Sequence, residues 1–111
     1  MEKDSVGSIE GAGASERDAK GAALRQACLD AADGEQLVFV NGHDDAILGL
    51  VEVDGDARVL YDQSSIFRKL ARRDGMDREG AEEFFIYNVA GAFIGAPGPL
   101  FLSRIRVRVG R

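Results

Sequence analysis

The apolar positions change their period along the chain, and each change marks an element. Ser15 reads as an N-cap with Glu16 and Asp18 in the first turn; Ala19, Ala22, Ala23, Gln26, Ala27 and Leu29 then carry a helix to about Ala32. Asp33-Gly34 ends it. Leu37-Val38-Phe39-Val40 is a β-branched and aromatic run between turn residues, the pattern of a buried strand. After the loop Asn41-Gly42-His43-Asp44-Asp45, a second strand runs from Ala46 to Val53. Asp54-Gly55 is a two-residue hairpin signal, and Arg58 to Tyr61 is the returning strand. Together these predict a three-stranded antiparallel meander.

Two helices follow, from Ser64 or Ser65 to Arg73 and from Asp77 to about Ile94, with Asp74-Gly75 between them and Asp77 as the second N-cap. The second helix changes character halfway. Arg78, Glu79, Glu82 and Glu83 decorate its first half, whereas Phe84, Phe85, Tyr87, Val89, Phe93 and Ile94 make its second half apolar on nearly every side. A helix that is hydrophobic all round is buried or covered by a partner. The Gly- and Pro-rich segment 95–99 forces a loop, and Leu100-Phe101-Leu102 adds a strand. Beyond it Arg-Ile-Arg-Val-Arg-Val alternates with period two, so residues 103–111 read as a basic C-terminal strand in search of a sheet edge. The first 14 residues show no periodicity and read as a disordered tail. The expectation is one α+β domain over residues 15–111: an antiparallel sheet of three to five strands, an N-terminal helix, and two helices packed on one face.

A chain of 111 residues with 45% apolar and 30% charged residues has the composition of one globular core. No apolar run approaches the roughly 20 residues of a membrane span, and the first residues lack a basic-then-apolar export pattern. The expected location is the cytoplasm, without membrane contact. The net charge of -5 is uneven: Arg104, Arg106, Arg108 and Arg111 lie in the last eight residues, which leaves -9 on residues 1–103. An acidic body repels nucleic acid, so only the basic C-terminal strand is expected to meet phosphate backbones. The lone Cys28 sits among Ala and Leu at helical spacing and reads as a buried, inert thiol.

The stretch from Leu37 to Leu102 contains VFVNGHDDAILGLVEV, then VLYD, then RRDGMDREGAEEFFIYNVAGAFIGAPGPLFL. In these motifs it resembles a family of short, functionally uncharacterised proteins of bacteriophage and prophage genomes. Tyr87-Asn88 stands where the family has Phe-Asn, Gly80 where an acidic residue is usual, and Gly98 where Thr precedes the Pro. The resemblance implies a phage or prophage origin and brings no activity or catalytic residue with it.

Chemistry has few places to sit. His43, Asp44 and Asp45, with Asp62 at the end of the third predicted strand, offer oxygen ligands and one imidazole to a divalent cation, the set a small metal-dependent phosphoester or nucleotide enzyme would use. The loop lacks the alternation and distal Glu of an EF-hand. His43 has no evident nucleophile partner, and Gly91 to Gly98 follows a helix instead of opening one, so it is no phosphate cradle. The aromatic half-helix fits binding better. Phe84, Phe85, Tyr87, Asn88 and Phe93, with Arg104, Arg106 and Arg108 of the tail, form the expected interaction surface unless the aromatics are simply core. The reading is a non-enzymatic, cofactor-free protein-interaction module with a host or phage protein as partner, such as a defence inhibitor of the anti-CRISPR kind. A homodimer or a structural role in virion assembly is the third option.

Overall fold

The computed structural model describes residues 12–93, 98–105 and 107. Helix α1 (Ala12–Ala32) starts ahead of the expected Ser15 cap, and what remains of the predicted tail lies outside the described residues. It stops where expected, with Asp33 at φ 53° and Gly34 at φ 91°. Its inward stripe is made of small residues, Gly21, Cys28 and Ala32. A Cβ on Gly21 would lie 3.0 Å from Asp44 Cβ and 3.1 Å from the Asp45 amide nitrogen. The missing side chain is what lets α1 rest directly on the 3-10 turn Asp44–Ala46.

Strands β1 (Ile47–Val53) and β2 (Asp56–Asp62) form the predicted hairpin. Asp54 and Gly55 both have positive φ, 52° and 88°, as a type I′ turn requires. Strand β3 (Leu100–Leu102) joins the other side of β2, pairing Leu60 with Leu100 and Tyr61 with Phe101 in parallel. The sheet is therefore mixed, in the order β1-β2-β3, where an antiparallel one was expected. Its cause is the connection: two helices intervene between β2 and β3 and bring the chain back in the same direction.

The strand expected at Leu37–Val40 does not form. The segment makes no ladder; the buried Val40 N–H instead donates to the Tyr61 hydroxyl at 2.7 Å. Nearby, Glu35 Oε2 accepts from the Ala57 amide of β2 at 2.9 Å. Side chains thus supply the hydrogen bonds that a third antiparallel strand would have supplied. The expected basic strand also departs from its pattern where it is visible. Ser103, Arg104 and Ile105 follow β3 without strand pairing, while Arg106 and residues 108–111 lie outside the described residues.

Helix α2 (Gln63–Asp74) is amphipathic, burying Ile66 and Leu70 one turn apart, and ends at Gly75 with φ 70°. Helix α3 (Arg78–Phe84) opens on the predicted cap, the Asp77 carboxylate accepting from the Gly80 amide at 2.8 Å. It then widens into a π-helix, Phe85–Val89, and tightens into a 3-10 turn, Ala90–Phe93. Gly91 makes the widening possible, since a Cβ there would meet the Ile86 carbonyl oxygen at 2.8 Å. Val59, Tyr61, Ile66 and Leu70 are the largest fully buried side chains, each worth roughly 1.5–3 kcal/mol of apolar burial. A run of rings ties the sheet to the helices. Tyr61 stacks on Phe101 (5.8 Å), Phe101 meets Phe85 edge-on (4.8 Å), and Phe85 meets Phe67 edge-on (5.4 Å).

Candidate functional site

The residues expected to form an interaction surface separate into two groups. Phe85 is 4% exposed and belongs to the core, so it leaves the surface. Ala81, Phe85 and Val89 recur every fourth residue, a stripe that the π turns keep facing inward. The residues between them face out: Phe84 is 37% exposed, Ile86 56% and Tyr87 74%. Asn88 Nδ2 donates to the Phe84 carbonyl at 3.3 Å, within the turn where α-pitch gives way. Ile86 is the member that the sequence reading missed. Its signal was the apolar continuity of the half-helix, which has one more large residue than a buried stripe can absorb. The side chain of Phe93, and Arg106 and Arg108, lie outside the described residues.

The structure brings Arg104 to this helix. A cleft of about 390 Å³ is bounded by Gln63 and Phe67 of α2, Glu82 and Ile86 of the helix that follows, and Ser103 and Arg104. Arg104 is held at its mouth by Asp62, with Nη2 3.3 Å from Oδ2 and Nε 3.4 Å from Oδ1, and Ser103 Oγ donates to Gln63 Oε1. Asp62 also accepts from Ser65 Oγ at 2.9 Å. Burial pushes the Asp62 carboxyl up, but these hydrogen bonds and the Arg104 charge outweigh it and leave it below the ordinary Asp range.

The four residues of the metal reading are dispersed among other partners. Asp44 accepts from Arg25 at 3.1 Å, Asp45 from Lys69 at 2.5 Å, and Asp62 from Arg104. Among the described residues no group of three or more His, Cys, Asp and Glu is placed to hold a metal ion. His43 is 6% exposed, and its Nδ1 has no hydrogen-bond partner among the described residues. Burial first, then the Lys69 charge and, less, that of Arg73 lower its pKa from 6.5, and together they outweigh the opposing charges of Asp45 and Asp44. A histidine held neutral by the fold binds fewer protons than it does in the unfolded chain. Its contribution to stability is present above the unfolded value of 6.5 and is lost as pH falls below it toward the folded value. Urea midpoints of the wild type are expected to drop between neutral and mildly acidic pH, and the drop should shrink in His43→Asn. An equal drop in the two proteins would mean that other groups set it.

The same loop floors a second, larger cleft of about 1060 Å³ between α1 and α2. Helix α1 contributes Arg17, Lys20 and Arg25 to its walls; α2 contributes Arg68, Lys69, Arg72 and Arg73. Asp18, Asp44 and Asp45 are the carboxylates there. Arg25 also covers the Phe39 ring, 4.1 Å from its centroid, and Lys69 also donates to the Gly42 carbonyl at 2.7 Å. Cys28 is buried on the inward face of α1, and burial, with the Asp44 charge, raises its thiol pKa. No helix among the described residues is long and apolar enough to cross a membrane. Compared with known protein families, curated proteins and solved structures, the chain matches none of them.

Proposed function

We propose that this chain is a non-enzymatic protein-interaction module of the phage or prophage type that its middle stretch resembles, seating a host or phage protein on the π-helical ledge. The exposure of Ile86 and Tyr87, side by side on a helix anchored by the buried Phe85, carries the reading. Large apolar side chains exposed side by side near a charged residue are what a protein interface uses as anchors. Arg104, fixed by Asp62 at the adjoining cleft, supplies the charged neighbour. The carboxylates that a metal-dependent enzyme would need are each committed to a cation instead. A host defence protein is the proposed class of target.

Affinity capture from a bacterial lysate tests this, with mass spectrometry of what is retained by the wild type and by an Ile86→Asp/Tyr87→Asp variant. A specific host protein should be retained by the wild type and lost by the variant, with affinity falling roughly 30-fold or more for a 2 kcal/mol anchor. Retention of the same protein by both sinks the ledge. Retention of only the chain itself, with a dimer in light scattering, points to assembly.

A further inference from the structure

We propose that the cleft between α1 and α2 binds the phosphodiester backbone of single-stranded nucleic acid. Half of the 14 Lys and Arg residues of this acidic chain line that one cleft, seven cations against three carboxylates. Solubility alone does not ask for this, since it favours interspersed signs. Two cations are consumed inside the fold, Arg25 by Asp44 and Lys69 by Asp45. Arg73 reaches its chain neighbour Asp74 at 3.7 Å. Arg17, Lys20 and Arg72 have no side-chain partner among the described residues, and Arg68 only donates to Ser65 Oγ at 3.2 Å. Among the described residues four cations, against the single unpaired carboxylate of Asp18, are thus available to a ligand.

Their placement selects the ligand's form. Ser65, Arg68, Lys69, Arg72 and Arg73 follow the i, i+3, i+4, i+7, i+8 spacing of a single helix face. Arg68 and Arg72, one turn apart, have Cβ atoms about 5–6 Å from each other, so both long side chains can reach phosphates of the same strand. Arg17 and Lys20 stand on the opposite wall. Cations on both walls can grip the backbone of one strand lying between them. The lining contains no aromatic ring, so bases have no stacking platform and the binding is electrostatic and indifferent to sequence. Ala22 and Leu29 are the lining's only apolar residues with more than a hydrogen for a side chain, too little for the core of a protein interface. That argues against an acidic protein segment as the occupant.

Fluorescence anisotropy with a labelled oligothymidylate of about 20 nucleotides reads the site directly. Four phosphate contacts at about 0.7 each in the salt slope predict affinity roughly 50-fold weaker at about 200 mM than at about 50 mM salt. Arg68→Ala/Arg72→Ala should weaken binding at least about tenfold and lower the slope by about 1.4, while Arg68→Lys/Arg72→Lys retains most of the affinity. Arg106→Ala/Arg108→Ala and Ile86→Asp/Tyr87→Asp should bind as the wild type does, which separates the cleft from the basic tail and from the ledge. Circular dichroism confirms that each variant is folded. The proposal is overturned by absent binding at low salt, by an unaffected Arg68→Ala/Arg72→Ala protein, by loss confined to the tail variant, or by a duplex or polyglutamate that competes as well as unlabelled oligothymidylate.

Discussion

Phe85→Ala is expected to lose about 3–5 kcal/mol of folding stability, out of the 5–15 kcal/mol typical of a small domain. The ring is 4% exposed and is the only one that meets both Phe67 of α2 and Phe101 of β3 among the described ring pairs. Truncation removes the ring's burial, two edge-on contacts and the wedge between helix and sheet, and the surrounding rings cannot all close the gap at once. Phe84, its chain neighbour, is 37% exposed, so Phe84→Ala should cost under about 1 kcal/mol. Urea titrations of both variants check the pair. Equal losses would mean that the π-helix does not hold the inward and outward phases described here.

Local signals were legible in the sequence because their physics is local. Asp54-Gly55 needed only two residues able to take positive φ, and the hairpin formed around them. Asp77 needed only the Gly80 amide three residues on, and Gly75 only a left-handed conformation after α2. Elements whose fate is decided by distant partners were not legible. The Leu37–Val40 run has strand composition, yet what it receives is a tyrosine hydroxyl 21 residues away. The parallel docking of β3 depends on how two intervening helices turn the chain, which no periodicity in Leu100-Phe101-Leu102 encodes.

The functional surfaces divide in the same way. The aromatic half-helix announced itself by composition, but its nearly continuous apolar run did not say which rings face the core; Phe85 and Val89 do, and Phe84, Ile86 and Tyr87 are left outside. The polar loop at His43 was visible as a cluster; its conversion into three ion pairs with Asp62 required knowing where Arg25, Lys69 and Arg104 arrive. The cationic cleft had half its signal in plain view, since Arg68, Lys69, Arg72 and Arg73 already share one face of the predicted helix. The acidic net charge concealed it, because an average over the chain says nothing about which helices face each other.

Tyr61→Phe, which keeps the ring and removes only the oxygen, is expected to cost about 1–3 kcal/mol, the price of leaving a buried amide without an acceptor. Tyr61 is fully buried, and its hydroxyl is the acceptor for Val40, itself 6% exposed. Burial pushes the phenol up to about 12, only partly countered by the Val40 hydrogen bond, so the hydroxyl stays protonated far above neutrality. The loss should therefore be the same at every pH near neutral, unlike the loss assigned to His43. Hydrogen exchange gives a second, residue-specific reading. The Val40 amide should be protected in the wild type and exchange markedly faster in Tyr61→Phe, while amides of the β1–β2 ladder keep their protection. A cost below about 0.5 kcal/mol with Val40 still protected would mean that packing of Val40 against the core, and not this hydrogen bond, holds the segment in place of a strand.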